Sequence, residues 1–373
     1  MASLCNRCAL RLRKAAQTET SHLSKRTFSS SASRQRGPLP TFNEASNEEL
    51  NNVLSTMREK HFVPAYMHKQ EHKLITKSKY RQQLIDNPQT GIVGGEEITL
   101  RPIDTRTEIP ARGGLLARAL NLIINGESKD WQNIPKLLQG LKEGVKKPAT
   151  DAQMEKIVRK GFQTKQLGVI IQCLYQAEQT GMTLKSEAVL RTFLGGLHDL
   201  AQQSGWQKGA VSKALREVNV VSQLLEAKEH GTGGTLRPHD PRTRPEVLGV
   251  FLELAAVYAY KYDGQTDSEG LVKAYARRLI SNIEKSQMKP SELQLLERSK
   301  QWPMLQAIPV WHGLSLAEKM LGKEMPERQA ASKAIAEYEV ALRGLAAELE
   351  ARNPAEGTYD YQALNAWRQC IRD

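Results

Sequence analysis

Residues 151–197 read DAQMEKIVRKGFQTKQLGVIIQCLYQAEQTGMTLKSEAVLRTFLGGL, and the spacing of their apolar side chains decides the fold class. An α-helix turns once in about 3.6 residues, so positions three and four apart share a face. Met154, Ile157 and Val158 make one such face, Leu167, Ile170, Ile171 and Leu174 a second, and Leu190, Phe193, Leu194 and Leu197 a third. Asp151 and Ser186 stand where a helix start wants a side-chain acceptor. Gly181 stands where a helix can end in left-handed backbone. Met154, Ile157, Val158 and Gly161 align with Leu190, Phe193, Leu194 and Leu197 at an offset of 36 residues. That is the step of two-helix units that stack into solenoids.

The same alternation of helix and breaker runs outward in both directions. Candidate hairpins cover residues 113–147, 150–181, 184–230, 245–286 and 291–352, with Ser291 as a further cap and Gly231 as a further stop. The expected fold is all-α, an irregular helical-hairpin (solenoid-like) array preceded by an extended basic N-terminal segment. An aromatic share of 6% argues against a sandwich or barrel. Residues 247–260 (VLGVFLELAAVYAY) are the longest apolar run and contain Glu253. A membrane span needs about 20 mostly apolar residues, so this run reads as a buried helix, in keeping with a mean hydropathy of −0.51. Four cysteines among 373 residues make no disulfide framework.

The expected divisions are a leader at 1–36, an extended anchor at 37–112, pentatricopeptide-like hairpins at 113–230, a Gly/Pro-rich linker at 231–246 and C-terminal hairpins at 247–373. The leader holds eight Lys/Arg against Glu19 alone, with Ser29, Ser30, Ser31 and Ser33 close together. Basic, hydroxyl-rich and acid-poor composition is that of a mitochondrial transit peptide, and Arg26-Thr27-Phe28-Ser29 resembles a matrix-peptidase site. Cys5 and Cys8 lack the second pair that a zinc or redox role needs. In the anchor, residues 37–57 read as a linker leading into a short helix at 47–60. Residues 65–85 read as one helix, and 88–112 as a pinned loop with a short strand near 97–100.

The whole chain carries a formal charge of +12, of which the leader supplies +7. The remainder is concentrated. Residues 58–81 hold seven Lys/Arg against Glu59 and Glu71, and residues 142–165 hold seven against three acids. Lys69, Lys73, Lys77 and Arg81 recur every four residues, the spacing of a stripe along a helix. A solvated helix face normally mixes Glu with Lys to gain ion pairs, and this stripe has only Glu71. Phosphate recognition asks for long cationic side chains without exact partner geometry. Lys69, Lys73, Lys77, Lys79 and Arg81, with Lys142, Lys146, Lys147, Lys156, Arg159 and Lys160, are therefore the candidate RNA-binding residues.

Competing chemistry is weaker. His68-Lys69-Gln70-Glu71-His72 fits the H-x-x-E-H pattern of inverted zinc proteases, but its flanks are cationic and no downstream carboxylate stands at 147–149. There is no G-x-x-x-x-G-K-[ST], G-x-G-x-x-G or G-x-S-x-G. His198 and Asp199 are adjacent, so a helix points them apart. His312 beside Trp311 reads as packing. Residues 100–107 (LRPIDTRT) and 236–243 (LRPHDPRT) echo each other after a Gly-Gly pair. They read as two equivalent elbows that start helices. No catalytic set, metal, cofactor or small-molecule substrate is implied.

Residues 163–183 (QTKQLGVIIQCLYQAEQTGMT) resemble the second helix and turn of a pentatricopeptide-type repeat, a family that reads single-stranded RNA. About two units match. Matrix leader, basic anchor, long loops and helical body together resemble the lineage-specific mitochondrial ribosomal proteins of fungal type. That resemblance implies a structural, non-enzymatic role in mitochondrial translation, in the matrix, with rRNA and neighbouring ribosomal proteins as partners. The alternatives weighed are a freestanding pentatricopeptide-type RNA-binding factor and a respiratory-complex assembly factor.

Overall fold

Asn47 opens the first helix, its Oδ1 accepting from the amide of Leu50 at 2.7 Å. Glu48 and Glu49 in the first turn complement the helix dipole. In this computed structural model, which describes residues 37–234, 236, 240–285, 289–293 and 299–372, helix α1 spans Glu48–Met57 and buries Leu50, Val53, Leu54 and Met57. The chain continues through one wide turn, Arg58–Phe62, into α2, Val63–Tyr66. The expected leader, with Cys5, Cys8 and the expected cleavage site, lies outside the described residues.

The stretch before α1 is not a free linker. Leu39 and Ala45 are buried. The amides of Asn43 and Ser46 donate to Asn133 Oδ1 and Asp130 Oδ1, each at 2.7 Å. The expected single helix over 65–85 is divided. Helix α3 spans Lys69–Thr76 and α4 spans Arg81–Asp86, with extended backbone at Met67, His68 and Lys77. A run rich in Lys, Gln and His offers little apolar surface to hold one continuous helix against the body. The pinned loop contains an antiparallel hairpin, β1 Thr90–Val93 and β2 Glu96–Thr99. Its turn is Gly94-Gly95, both at positive φ, as the tightest hairpin turns require. Leu39 donates to the Gly94 carbonyl at 3.2 Å, and Ile103 to that of Ile75 at 2.8 Å.

The body follows as α5 (Arg112–Asn125), α6 (Ile134–Gln139), α7 (Asp151–Gln163), α8 (Leu167–Tyr175), α9 (Ala177–Thr180), α10 (Glu187–Gln202), α11 (Lys208–Glu226), α12 (Pro245–Tyr262), α13 (Leu271–Ile283), α14 (Pro290–Leu293), α15 (Gln301–Leu321), α16 (Arg328–Ala351) and α17 (Tyr359–Arg372). Helices α5, α7, α10, α12 and α15 pack in sequence as one row. Helices α8, α11, α13 and α16 each return against the row member before them. This is the all-α hairpin array, and apart from β1 and β2 no strand occurs among the described residues.

The array is irregular. Helices α7 and α10 begin at Asp151 and Glu187, keeping the 36-residue step, but the next row members begin at Pro245 and Gln301. Row length grows from 13 residues in α7 through 16 and 18 to 21 in α15. Caps differ in detail from expectation. Thr150, one residue before Asp151, caps α7 reciprocally with Gln153. The hydroxyl of Ser186 is buried without a partner. Gly181 ends α9 at φ 77° as expected.

Helix α12 is buried nearly all round and packs most extensively on α15. The two backbones nearly touch. A Cβ at Gly249 would come within 2.9 Å of the Val310 amide, and one at Gly313 within 2.8 Å of the Glu253 amide. The apolar core runs unbroken from Leu39 to Cys370, so residues 37–373 form one compact unit. No described helix is long and apolar enough to cross a membrane.

Candidate nucleic-acid interface

The break at Lys77 removes the stripe. Lys69 and Lys73 share α3. Lys77 and Lys79 sit in the connection, and Arg81 starts α4. All five are exposed. Arg81 lies 3.6 Å from Glu108, which Lys60 also reaches at 3.6 Å. The Lys79 ammonium sits over the Tyr80 ring, 4.5 Å from its centre. Lys69, Lys73, Lys77 and Lys79 have no carboxylate within ion-pair distance among the described residues.

The H-x-x-E-H pattern is a helix start. His68 is the cap residue of α3, and its amide donates to Glu71 Oε2 at 2.9 Å. The carboxylate satisfies an end of the helix instead of serving a metal, and both imidazoles are exposed.

Three of the second group join the first. Beyond α6, one wide turn, Gly140–Gly144, lies across the end of the first helical segment. Gly140 faces the Phe62 ring and Gly144 the Tyr66 ring, so closely that a Cβ at either would overlap it. That contact brings Lys142, Lys146 and Lys147 next to the segment leading into Lys69. All three are exposed and have no acidic partner among the described residues. Lys146 holds φ at 60°, which turns the chain sharply between the two lysines and the helix that follows.

Lys156, Arg159 and Lys160 stand on another element, helix α7. They are half-buried on α7. Lys156 Nζ donates to Asn121 Oδ1 at 2.7 Å, and Arg159 Nε to Glu155 Oε1 at 3.0 Å. Arg159 lines a groove of about 440 Å³ with Arg191, Trp302 and Tyr359.

The two echoed elbows share one device. Asp104 Oδ1 accepts from the Arg106 amide at 2.9 Å, and Asp240 Oδ1 from the Arg242 amide at 2.9 Å. In the second, Arg242 also binds the Asp240 carboxylate, Glu226, Thr232 and the Gly233 carbonyl. It is a buckle between the end of α11 and the start of α12, not a phosphate ligand. Its hydrogen bonds to Asp240 hold that carboxyl down at about 2, against burial.

One constellation escaped the sequence. Glu253 on α12 is fully buried between two imidazoles. His198 Nδ1 on α10 lies 2.6 Å from its Oε2, and His312 Nδ1 on α15 lies 2.8 Å from its Oε1. Burial pushes the Glu253 carboxyl up, but the His198 charge and the hydrogen bonds outweigh it and leave it at about 2. Burial pushes His198 down, and the same carboxylate raises it above its ordinary value. Trp206 packs against both rings, at 5.8 and 5.3 Å between centres. Separations of 55 and 59 residues, with no recurring spacing, left no motif to find.

A family model described as mitochondrial ribosomal protein mS27 matches residues 26–369. The small ribosomal subunit protein mS27 of Neurospora crassa is 29% identical over an alignment covering 68% of this chain and 68% of that protein. The chain belongs to the mS27 family of mitochondrial ribosomal proteins.

Proposed function

We propose that the chain is a structural part of the mitochondrial small ribosomal subunit, seated on rRNA through Lys69, Lys73, Lys77, Lys79, Lys142, Lys146 and Lys147. As a member of a mitochondrial ribosomal family it works in the matrix, among rRNA and ribosomal proteins. Its relative in Neurospora supports placing it in the small subunit. The observation that carries the RNA reading is the junction of Tyr66 with Gly144, which sets Lys142, Lys146 and Lys147 beside the segment leading into Lys69, groups without acidic partners among the described residues. Exposed ammonium groups held without carboxylates are costly to gather unless a polyanion compensates. The helical body then supplies surface for protein neighbours. The basic residues 1–36 serve as the import leader.

The freestanding RNA-binding factor finds less support. One base per repeat needs units of constant length, and here the row helices differ in length and start at unequal steps along the chain. The test is charge reversal. Lys69→Glu, Lys73→Glu, Lys146→Glu and Lys147→Glu together abolish incorporation into the ribosomal subunit in cells lacking the wild-type chain. Unchanged incorporation of a folded variant removes this interface.

A further inference from the structure

The polar centre of the body holds ring nitrogens that its own bonds leave unpaired. Among the described residues, four buried ring nitrogens there have no hydrogen-bond partner: His198 Nε2, His312 Nε2, Trp206 Nε1 and Trp311 Nε1. They belong to rings in mutual contact. Buried polar atoms are rarely left unpaired. The indole N–H groups can only donate, whereas His312, whose Nδ1 meets Glu253, has in Nε2 a nitrogen that can ligate a cation. The same centre contains a ligand set. One nitrogen of His312, one carboxylate oxygen of Glu253 and the Cys370 sulfur all lie within 4.8 Å of one another, and all three residues are buried.

We propose that Glu253, His312 and Cys370 bind one zinc ion that ties α12, α15 and α17 together. Nitrogen, oxygen and thiolate donors suit zinc. Charge favours it as well. The Glu253 carboxylate and the Cys370 thiolate together match the charge of a divalent cation, with His312 as a neutral ligand. Binding releases the Cys370 thiol proton to solvent, as a coordinated thiol is deprotonated. The support around the ligands is already built. His198 holds the second oxygen of Glu253. Gln202 Nε2 reaches the Cys370 sulfur at 3.3 Å and the Ala366 carbonyl at 2.9 Å. Ligating carboxylates are commonly oriented by such partners. The other buried thiol, Cys173, offers nothing comparable, since burial pushes it up to about 12.

The test uses the full chain carrying Cys5→Ser and Cys8→Ser, so that leader thiols hold no metal. Purified from zinc-supplemented cells and dialysed, it retains one equivalent of zinc by elemental analysis. Cobalt replacing the zinc gives a thiolate charge-transfer band in the near ultraviolet. Cys370→Ser removes the band, and His312→Gln lowers the metal content at least tenfold. The cobalt band reads the parent chain directly, so a variant that fails to fold leaves the test intact. A folded parent chain that stays substoichiometric in added zinc overturns the proposal, as does a band that survives Cys370→Ser. Ordered water then fills the centre.

Discussion

Glu253 is the residue on which the interior turns. An ionised carboxylate without water must be compensated, and two imidazoles from different helices do so here. Removing one member of a buried charged group costs about 3–5 kcal/mol, because the remaining charge is left uncompensated. Glu253→Ala is expected to lower unfolding stability by that amount in urea titration. A change within surface-mutation range would mean that the carboxylate carries no such weight. Asp240 gives a pH dependence of definite sign. Its folded value of about 2 lies below the ordinary 3.8. The Arg242 buckle therefore stabilises fully above pH ~4, and that contribution is lost as pH falls toward ~2. The amount is about 2 kcal/mol. Stability curves of wild type and Asp240→Asn should converge across that window, and a constant gap would contradict the assignment.

Among the elements, the crossing of α12 and α15 is the most demanding. Gly249 and Gly313 let two backbones meet where any side chain would strike main-chain atoms. Overpacking such a contact costs about 1–3 kcal/mol. Gly249→Ala and Gly313→Ala should each lower the melting temperature. Sharing one contact, they should not add in the double variant. Helices α7, α10 and α12 could be read from sequence because each fills a long face with Leu, Ile, Val and Phe at helical spacing. The division of residues 65–85 could not. Nothing apolar there distinguishes one helix from two, and the tertiary bond from Ile103 to Ile75 lies outside any local window. The strap at 37–47 was hidden for a related reason. Its anchors, Asp130 and Asn133, come from a turn about 85 residues onward. Of the interface, composition located the lysines, whereas the junction of Tyr66 with Gly144 needed the fold.

At the scale of the molecule, a single core joins the lysine-bearing segment to the hairpin array, so docking by one end positions the other. Phosphate contacts carry a salt signature: each one removed should lower the slope of log affinity against log salt by about one. Single charge-neutral variants at Lys69, Lys73, Lys146 and Lys147, titrated against small-subunit rRNA, should each show that decrement, and slopes equal to wild type would exclude the surface. As proposed, the chain is an integral, RNA-seated part of the small ribosomal subunit. Sedimentation of a tagged chain from purified mitochondria tests it most directly. The account expects one copy per small subunit, retained through a moderate-salt wash. Substoichiometric recovery, release by the wash, or migration with the large subunit would contradict it.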